Sequence, residues 1–168
     1  MRKVEICDYQ EEWEELFRQE AEEIKRILGE ECVAVHHIGS TAVRGLAAKP
    51  VIDLLPVVKN IETVDRFNPK FELLGYEGKG ENGLKGRRYF QKGGDLRTHH
   101  MHIYENGSGE IYRHLAFRDY LKKHPQEAEK YGTLKKELAM KYPTDIERYI
   151  EGKESFVKEM EKRALEEF

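Results

Sequence analysis

Cysteine is scarce: Cys7 and Cys32 are the two in the chain, too few for the disulfide framework of a small secreted domain. No apolar run approaches the roughly 20 residues that a membrane-spanning helix requires, and the N-terminus carries no apolar signal segment, so a cytoplasmic location is expected. A basic surplus is missing as well. The net charge of −3 and the pI near 6.2 argue against broad nucleic-acid binding, so any phosphate must be met by a local basic patch. No repeat, low-complexity segment or linker divides the chain. Its 168 residues suit an ordinary core, and residues 1–168 are expected to form a single domain.

What is present is punctuated apolar patterning. Asp8-Tyr9-Gln10-Glu11 resembles a capping box, after which Trp13, Leu16, Phe17, Ala21, Ile24, Ile27 and Leu28 recur at helical spacing until Gly29. The Glu-rich opposite face of this helix is expected to be solvated. Cys32 to Ile38, rich in β-branched residues, reads as a strand, and Val51 to Leu55, apolar on both faces, as a buried central one. A helix is expected from Ile61 toward Leu74, disturbed at Asn68-Pro69, because proline removes a donor and restricts the residue before it. Gly78 to Gly86 holds four glycines and reads as a mobile loop, either a plain hairpin connection or a flap over a ligand, between strands near Tyr76 and at Arg87 to Gln91. The C-terminal third is helical. One helix ends at Pro125; a second carries Ala128, Tyr131, Leu134, Leu138, Ala139 and Tyr142; a third, capped by Thr144-Asp145, presents Ile146, Tyr149, Ile150, Phe156, Val157, Met160 and Leu165. This order indicates an α+β domain on a mixed sheet.

The chemistry concentrates where the first strand ends. Gly39 permits positive φ and close approach of a phosphate to the backbone, Ser40 and Thr41 add hydroxyls, and Thr41 to Leu46 reads as a short helical turn with free N–H groups. Asp53 sits inside the next apolar strand, where a carboxylate must be paired, hydrogen-bonded or bound to metal. A structural ion pair with Lys49 or an arginine and metal or phosphate work remain equally open. Along Arg97 to Glu105, strand alternation puts Thr98, His100, His102 and Tyr104 on one face and His99, Met101 and Ile103 on the other. His99 therefore reads as a core residue or as one that supports the site from behind, whereas His100 and His102 can converge on one metal or phosphate, or supply a base. Arg87 and Arg88 point to opposite faces, and Arg118 beside Asp119 reads as a salt bridge or a triphosphate contact.

His37-Ile38-Gly39-Ser40-Thr41-Ala42-Val43, Gly45-Leu46, Lys49-Pro50 and Ile52-Asp53 together resemble the signature of the GrpB family. Gly75-Tyr76, Arg87 to Phe90, Arg97 to His102, His114 to Leu121, Leu134-Lys135 and Lys153 to Phe156 resemble it in the same order, across nearly the whole chain. The family is regarded as a predicted branch of the nucleotidyltransferase superfamily. The resemblance implies a nucleotidyltransferase-like mixed sheet flanked by helices, with a nucleoside triphosphate and a small-molecule acceptor as partners and Mg²⁺ or Mn²⁺ as cofactor. On that reading Gly39, Ser40, Thr41 and Arg88 hold phosphates. Asp53 binds the metal, and His100 or His102 completes its site or accepts a proton. Two positions depart from pattern. Leu55 stands where the superfamily keeps a second acid, and Arg44 stands where the family tends to have proline. Leu55 favours a second reading, a nucleotide- or phosphometabolite-binding protein without catalysis, and Asp53 with the strand-borne His100 and His102 leaves a third, a metal-dependent phosphohydrolase.

Overall fold

The computed structural model describes residues 3–168. The first helix, α1 (Glu12–Leu28), buries Trp13, Ala21, Ile24 and Leu28 along one stripe. Acidic side chains in its first turn and Lys25 and Arg26 in its last complement the helix dipole, and Gly29, at a φ of +57°, ends it. Two sequence expectations change here. The capping box does not form, because the Asp8 carboxylate pairs with Lys136 and Glu11 makes no side-chain cap. Leu16 faces outward, while Glu20 is buried.

Five strands follow: β1 (Cys32–Ile38), β2 (Ile52–Val58), β3 (Tyr76–Gly78), β4 (Arg87–Lys92) and β5 (His99–Glu105). They lie in the order β1-β2-β5-β4-β3, with β2 and β5 parallel and the other neighbours antiparallel. The expected helix after Val58 divides into a 3₁₀ segment over Ile61–Phe67 and α2 (Asn68–Leu73), with Pro69 in the first turn, where its missing N–H costs nothing. The glycine-rich stretch is a hairpin connection: Lys79 N donates to Tyr89 O and Tyr89 N to Gly80 O, both at 2.8 Å. Leu84 is tucked against the sheet.

The sheet separates two apolar layers. On one face Ile52, Leu54, Val58, Phe90, Met101 and Ile103 pack against α1 and α2. Each fully buried aliphatic side chain there contributes on the order of 1.5–3 kcal/mol. The other face, led by Ile38, Leu55, Val57 and Tyr104, meets Ile111 and Leu115 of α3 (Gly109–Lys123). Helices α4 (Pro125–Lys141) and α5 (Ile146–Glu167) complete a bundle with α3 around Leu46, Leu121, Tyr131 and Met160. Asp145 caps α5 through Arg148 N, as its position suggests, but Ile150 and Leu165 lie exposed, outside the expected apolar face. The result is an α+β fold with a helical C-terminal third.

Candidate functional site

The end of β1 and the start of β2 close on one another at Gly39. Its φ is +73°, and a Cβ built there would stand 2.7 Å from Asp53 Oδ2. Glycine is therefore required for room beside Asp53 as well as for the turn. The expected helical turn is a 3₁₀ turn over Ser40–Ala42. Its two hydroxyls diverge. Thr41 is buried and shares a 2.9 Å hydrogen bond with His37 Nε2, whereas Ser40 Oγ accepts one of 2.8 Å from Lys135 Nζ. His37, stacked on Phe17 of α1, has its pKa pulled down by burial to about 4 and stays neutral.

Asp53 is in register with His100 across the parallel β2/β5 pair, so both side chains share a face with His102. Asp53 Oδ1 lies 3.5 Å from His100 Nδ1 and 3.3 Å from His102 Nε2. Burial alone would raise the Asp53 pKa, but hydrogen bonds from the two histidines outweigh it and hold the carboxyl well below the usual carboxylate range. The far nitrogens, His100 Nε2 and His102 Nδ1, are buried without a hydrogen-bond partner. His99 goes to the other face, as alternation implies, where it is half-buried and within 3.5 Å of Glu20. Among the described residues no three His, Cys, Asp or Glu side chains are arranged to hold a metal. The expected Asp53, His100 and His102 set does meet, with both imidazoles on one carboxylate oxygen.

Beside this cluster is a cavity of about 180 Å³ whose lining includes Ser40, Thr41, Asp53, His100, Lys49, Lys135, Lys153 and Tyr149. Lys135 is 2% exposed; burial, then the charges of Lys153 and Lys49, pull its pKa down to about 6. Burial lowers Lys153 as well. The ammonium groups of Lys49 and Lys153 stand 4.6 and 5.3 Å from the Tyr149 ring centroid, and the Tyr149 hydroxyl is buried without a partner. Three lysine amines and the Ser40 hydroxyl beside one carboxylate give the cavity a lining that suits an anion.

The arginines lie elsewhere. Arg88 pairs in register with Ile103, which turns it to the sheet face away from Asp53, where its Nε donates to Asp65 Oδ1 at 2.8 Å. Its expected phosphate role is corrected on that ground; Arg87, opposite Tyr104, takes the Asp53 face. Arg118 binds Asp119 and donates to the His37 carbonyl, tying α3 to the end of β1. Arg44 pairs with Glu14 at the surface. Leu55 is wholly buried in the apolar layer with Ile38, Val57 and Tyr104, beneath Ile111 and Leu115.

Lys135 and Lys153 fall in stretches that resemble the family and Tyr149 on an expected apolar helix face, but none of the three was expected at the site. A signal was there: Lys135 follows Ala128, Tyr131 and Gly132 on the buried stripe of α4, where a lysine is out of place unless it has a task. Lys153 stands one helical turn beyond the buried Tyr149.

The sequence and the fold have counterparts. The UPF0157 protein YqkA of Bacillus subtilis is 52% identical over 163 residues, 97% of this chain and 48% of that protein, so the chain spans about half the length of this relative. The crystal structure of conserved protein GrpB from Enterococcus faecalis matches 97% of this chain and 98% of its own, at 51% identity and a TM-score of 0.94. In fold alone, the Cid1 poly(U) polymerase bound to MgATP is similar over 79% of this chain and 44% of that one, at 16% identity and a TM-score of 0.55. The family model described as GrpB protein matches residues 3–163, and with the Gly39 turn, the acid-bearing strand and the mixed sheet all in place, the chain belongs to the GrpB family and carries a nucleotidyltransferase-like fold.

Proposed function

We propose that the protein is a nucleotidyltransferase, moving a nucleoside monophosphate from a nucleoside triphosphate to a small acceptor at the Asp53 cavity. The observation that carries this reading is the juxtaposition of Asp53, behind the Gly39 turn, with a cavity bearing Ser40, Lys49, Lys135 and Lys153. The cavity measures about 180 Å³, a size that would suit phosphate groups, with the nucleoside outside it. Ser40 and the lysines would bind the triphosphate tail, and preorganised charge of this kind is what phosphoryl chemistry needs most. A divalent ion would be held through Asp53, and the chemistry it would supply is neutralisation of the phosphates' charge. His100 and His102 orient the Asp53 carboxylate, and His100, which lines the cavity, would be the one of the two to take up the acceptor's proton.

The second reading, a nucleotide- or phosphometabolite-binding protein without catalysis, is favoured by Leu55. Its place in a packed apolar layer leaves no site for a second acid on that face of β2. Product analysis separates the readings. Pyrophosphate with a modified acceptor supports transfer, orthophosphate indicates hydrolysis, and unchanged bound nucleotide indicates a binding protein.

A further inference from the structure

The amine of Lys135 has an unusual setting. It is 2% exposed, donates a 2.8 Å hydrogen bond to Ser40 Oγ, and forms no ion pair with a carboxylate among the described residues. The groups facing it across the cavity are Lys49, Lys153, Tyr149, Asp53 and His100, with Tyr131 on its own helix, the ring centroid 4.4 Å away. A buried amine beside two other cations sheds its proton, here with a pKa lowered to about 6 by burial first and then by Lys153 and Lys49. The neutral amine still donates to Ser40, which leaves its lone pair available. Desolvated lysines next to another cation are the ones that act as nucleophiles toward carbonyl carbon. The cavity, about 180 Å³, equals roughly six water volumes, enough for a phosphate joined to a short carbon chain.

We propose that Lys135 is a nucleophilic amine that forms an imine with small phosphorylated aldehydes or ketones whose phosphate is held by Ser40, Lys49 and Lys153. The nitrogen lone pair adds to the carbonyl carbon while a proton passes from nitrogen to the carbonyl oxygen. Loss of that oxygen as water leaves the carbon–nitrogen double bond, so no oxidant or reductant is consumed. The phosphate-holding half rests on the function proposed above; the nucleophile does not.

The test uses glycolaldehyde phosphate as the probe, borohydride to reduce the imine to a stable secondary amine, and peptide mapping by mass spectrometry. The expected result at neutral pH is one adduct per chain, on Lys135, formed about tenfold or more faster than with unphosphorylated glycolaldehyde, which lacks the charge-assisted contacts. Inorganic tripolyphosphate should suppress the adduct. Labelling spread over surface lysines, or confined to Lys49 or Lys153, overturns the assignment. Equal rates with glycolaldehyde overturn the phosphorylated class. An adduct on Lys135 that tripolyphosphate does not suppress leaves the nucleophile standing and removes the triphosphate from this cavity. Because mapping is done on the unaltered protein, the outcome does not depend on a Lys135→Met variant folding.

Discussion

Strand β5 carries histidines to both faces of the sheet, and the two environments could hardly differ more. On the α1 side Glu20 is a buried carboxylate surrounded by donors: Tyr76 Oη at 3.0 Å, Lys92 Nζ at 3.1 Å and His99 Nε2 at 3.5 Å. That set closes on itself and ties α1 to β3, β4 and β5. On the other side Asp53 meets His100 and His102, whose far nitrogens have no partner, and three lysines border the same cavity. Both clusters are partly buried and charged. A closed polar network holds a fold together, whereas an open one, with unpartnered nitrogens beside a lysine-lined cavity, has the character of a ligand site.

The largest effect should come from breaking the closed network. Glu20→Ala leaves Lys92, His99 and the Tyr76 hydroxyl without their shared acceptor and should cost about 3 kcal/mol of stability, with nucleotide affinity unchanged once folded. Urea unfolding and calorimetric titration check the two halves, and a loss of nucleotide binding in the folded variant would erase the contrast between the faces. The open side should respond in the opposite sense. Lys135→Met removes a buried amine held against its ordinary protonation, so stability should rise by about 1–3 kcal/mol while tripolyphosphate binding falls at least tenfold. A variant that is less stable and binds normally would make Lys135 part of the scaffold.

Acid should expose the buried histidines next. His37 and His114 are held neutral, chiefly by burial, with folded pKa values of about 4 and about 3, against about 6.5 when unfolded. Between those values the unfolded chain binds more protons, so stability is full above about pH 6.5 and falls as the pH drops toward 4, by up to about 1.4 kcal/mol per pH unit for each group. Denaturant midpoints followed from pH 7 to 4.5 would show this, and His114→Phe should flatten part of the slope; a level profile in the wild type would mean that these rings are solvated. The smallest change is expected at Arg88→Ala. It breaks the Asp65 pair on the α1 side and should leave anion affinity as it was. A tenfold loss there would return Arg88 to the phosphate site.

Much of this was legible in the residues. Strand alternation separated His99 from His100 and His102, and the Gly39 turn and acid-bearing strand stood out because a buried carboxylate needs a reason. Period-two alternation also showed that Arg87 and Arg88 must part, but not which one faced Asp53, since that depends on the register of β4 against β5. Lys135 and Lys153 were hidden for a related reason. They come from α4 and α5, and no local pattern reveals that helices so far along the chain return to the β1–β2 turn. Glu20 escaped because one buried acid on an otherwise solvated glutamate-rich face looks like its neighbours until its partners on β3, β4 and β5 are known.

Leu55 alters what can be tried. Placing an acid there, as in Leu55→Asp, would put a charge into the apolar layer under Ile111 and Leu115, so unfolding is expected before any gain in metal binding. The most direct test is therefore a crystal structure determined with Mn²⁺ and a non-hydrolysable nucleoside triphosphate. The expected result is phosphate density between Ser40 and Lys135, close to Lys49 and Lys153, with the ion shared by Asp53 and phosphate oxygens. Nucleotide bound instead in the groove of about 1050 Å³ between α1, the Val43 to Ala47 turn and α4, with the lysine cavity empty, would contradict it.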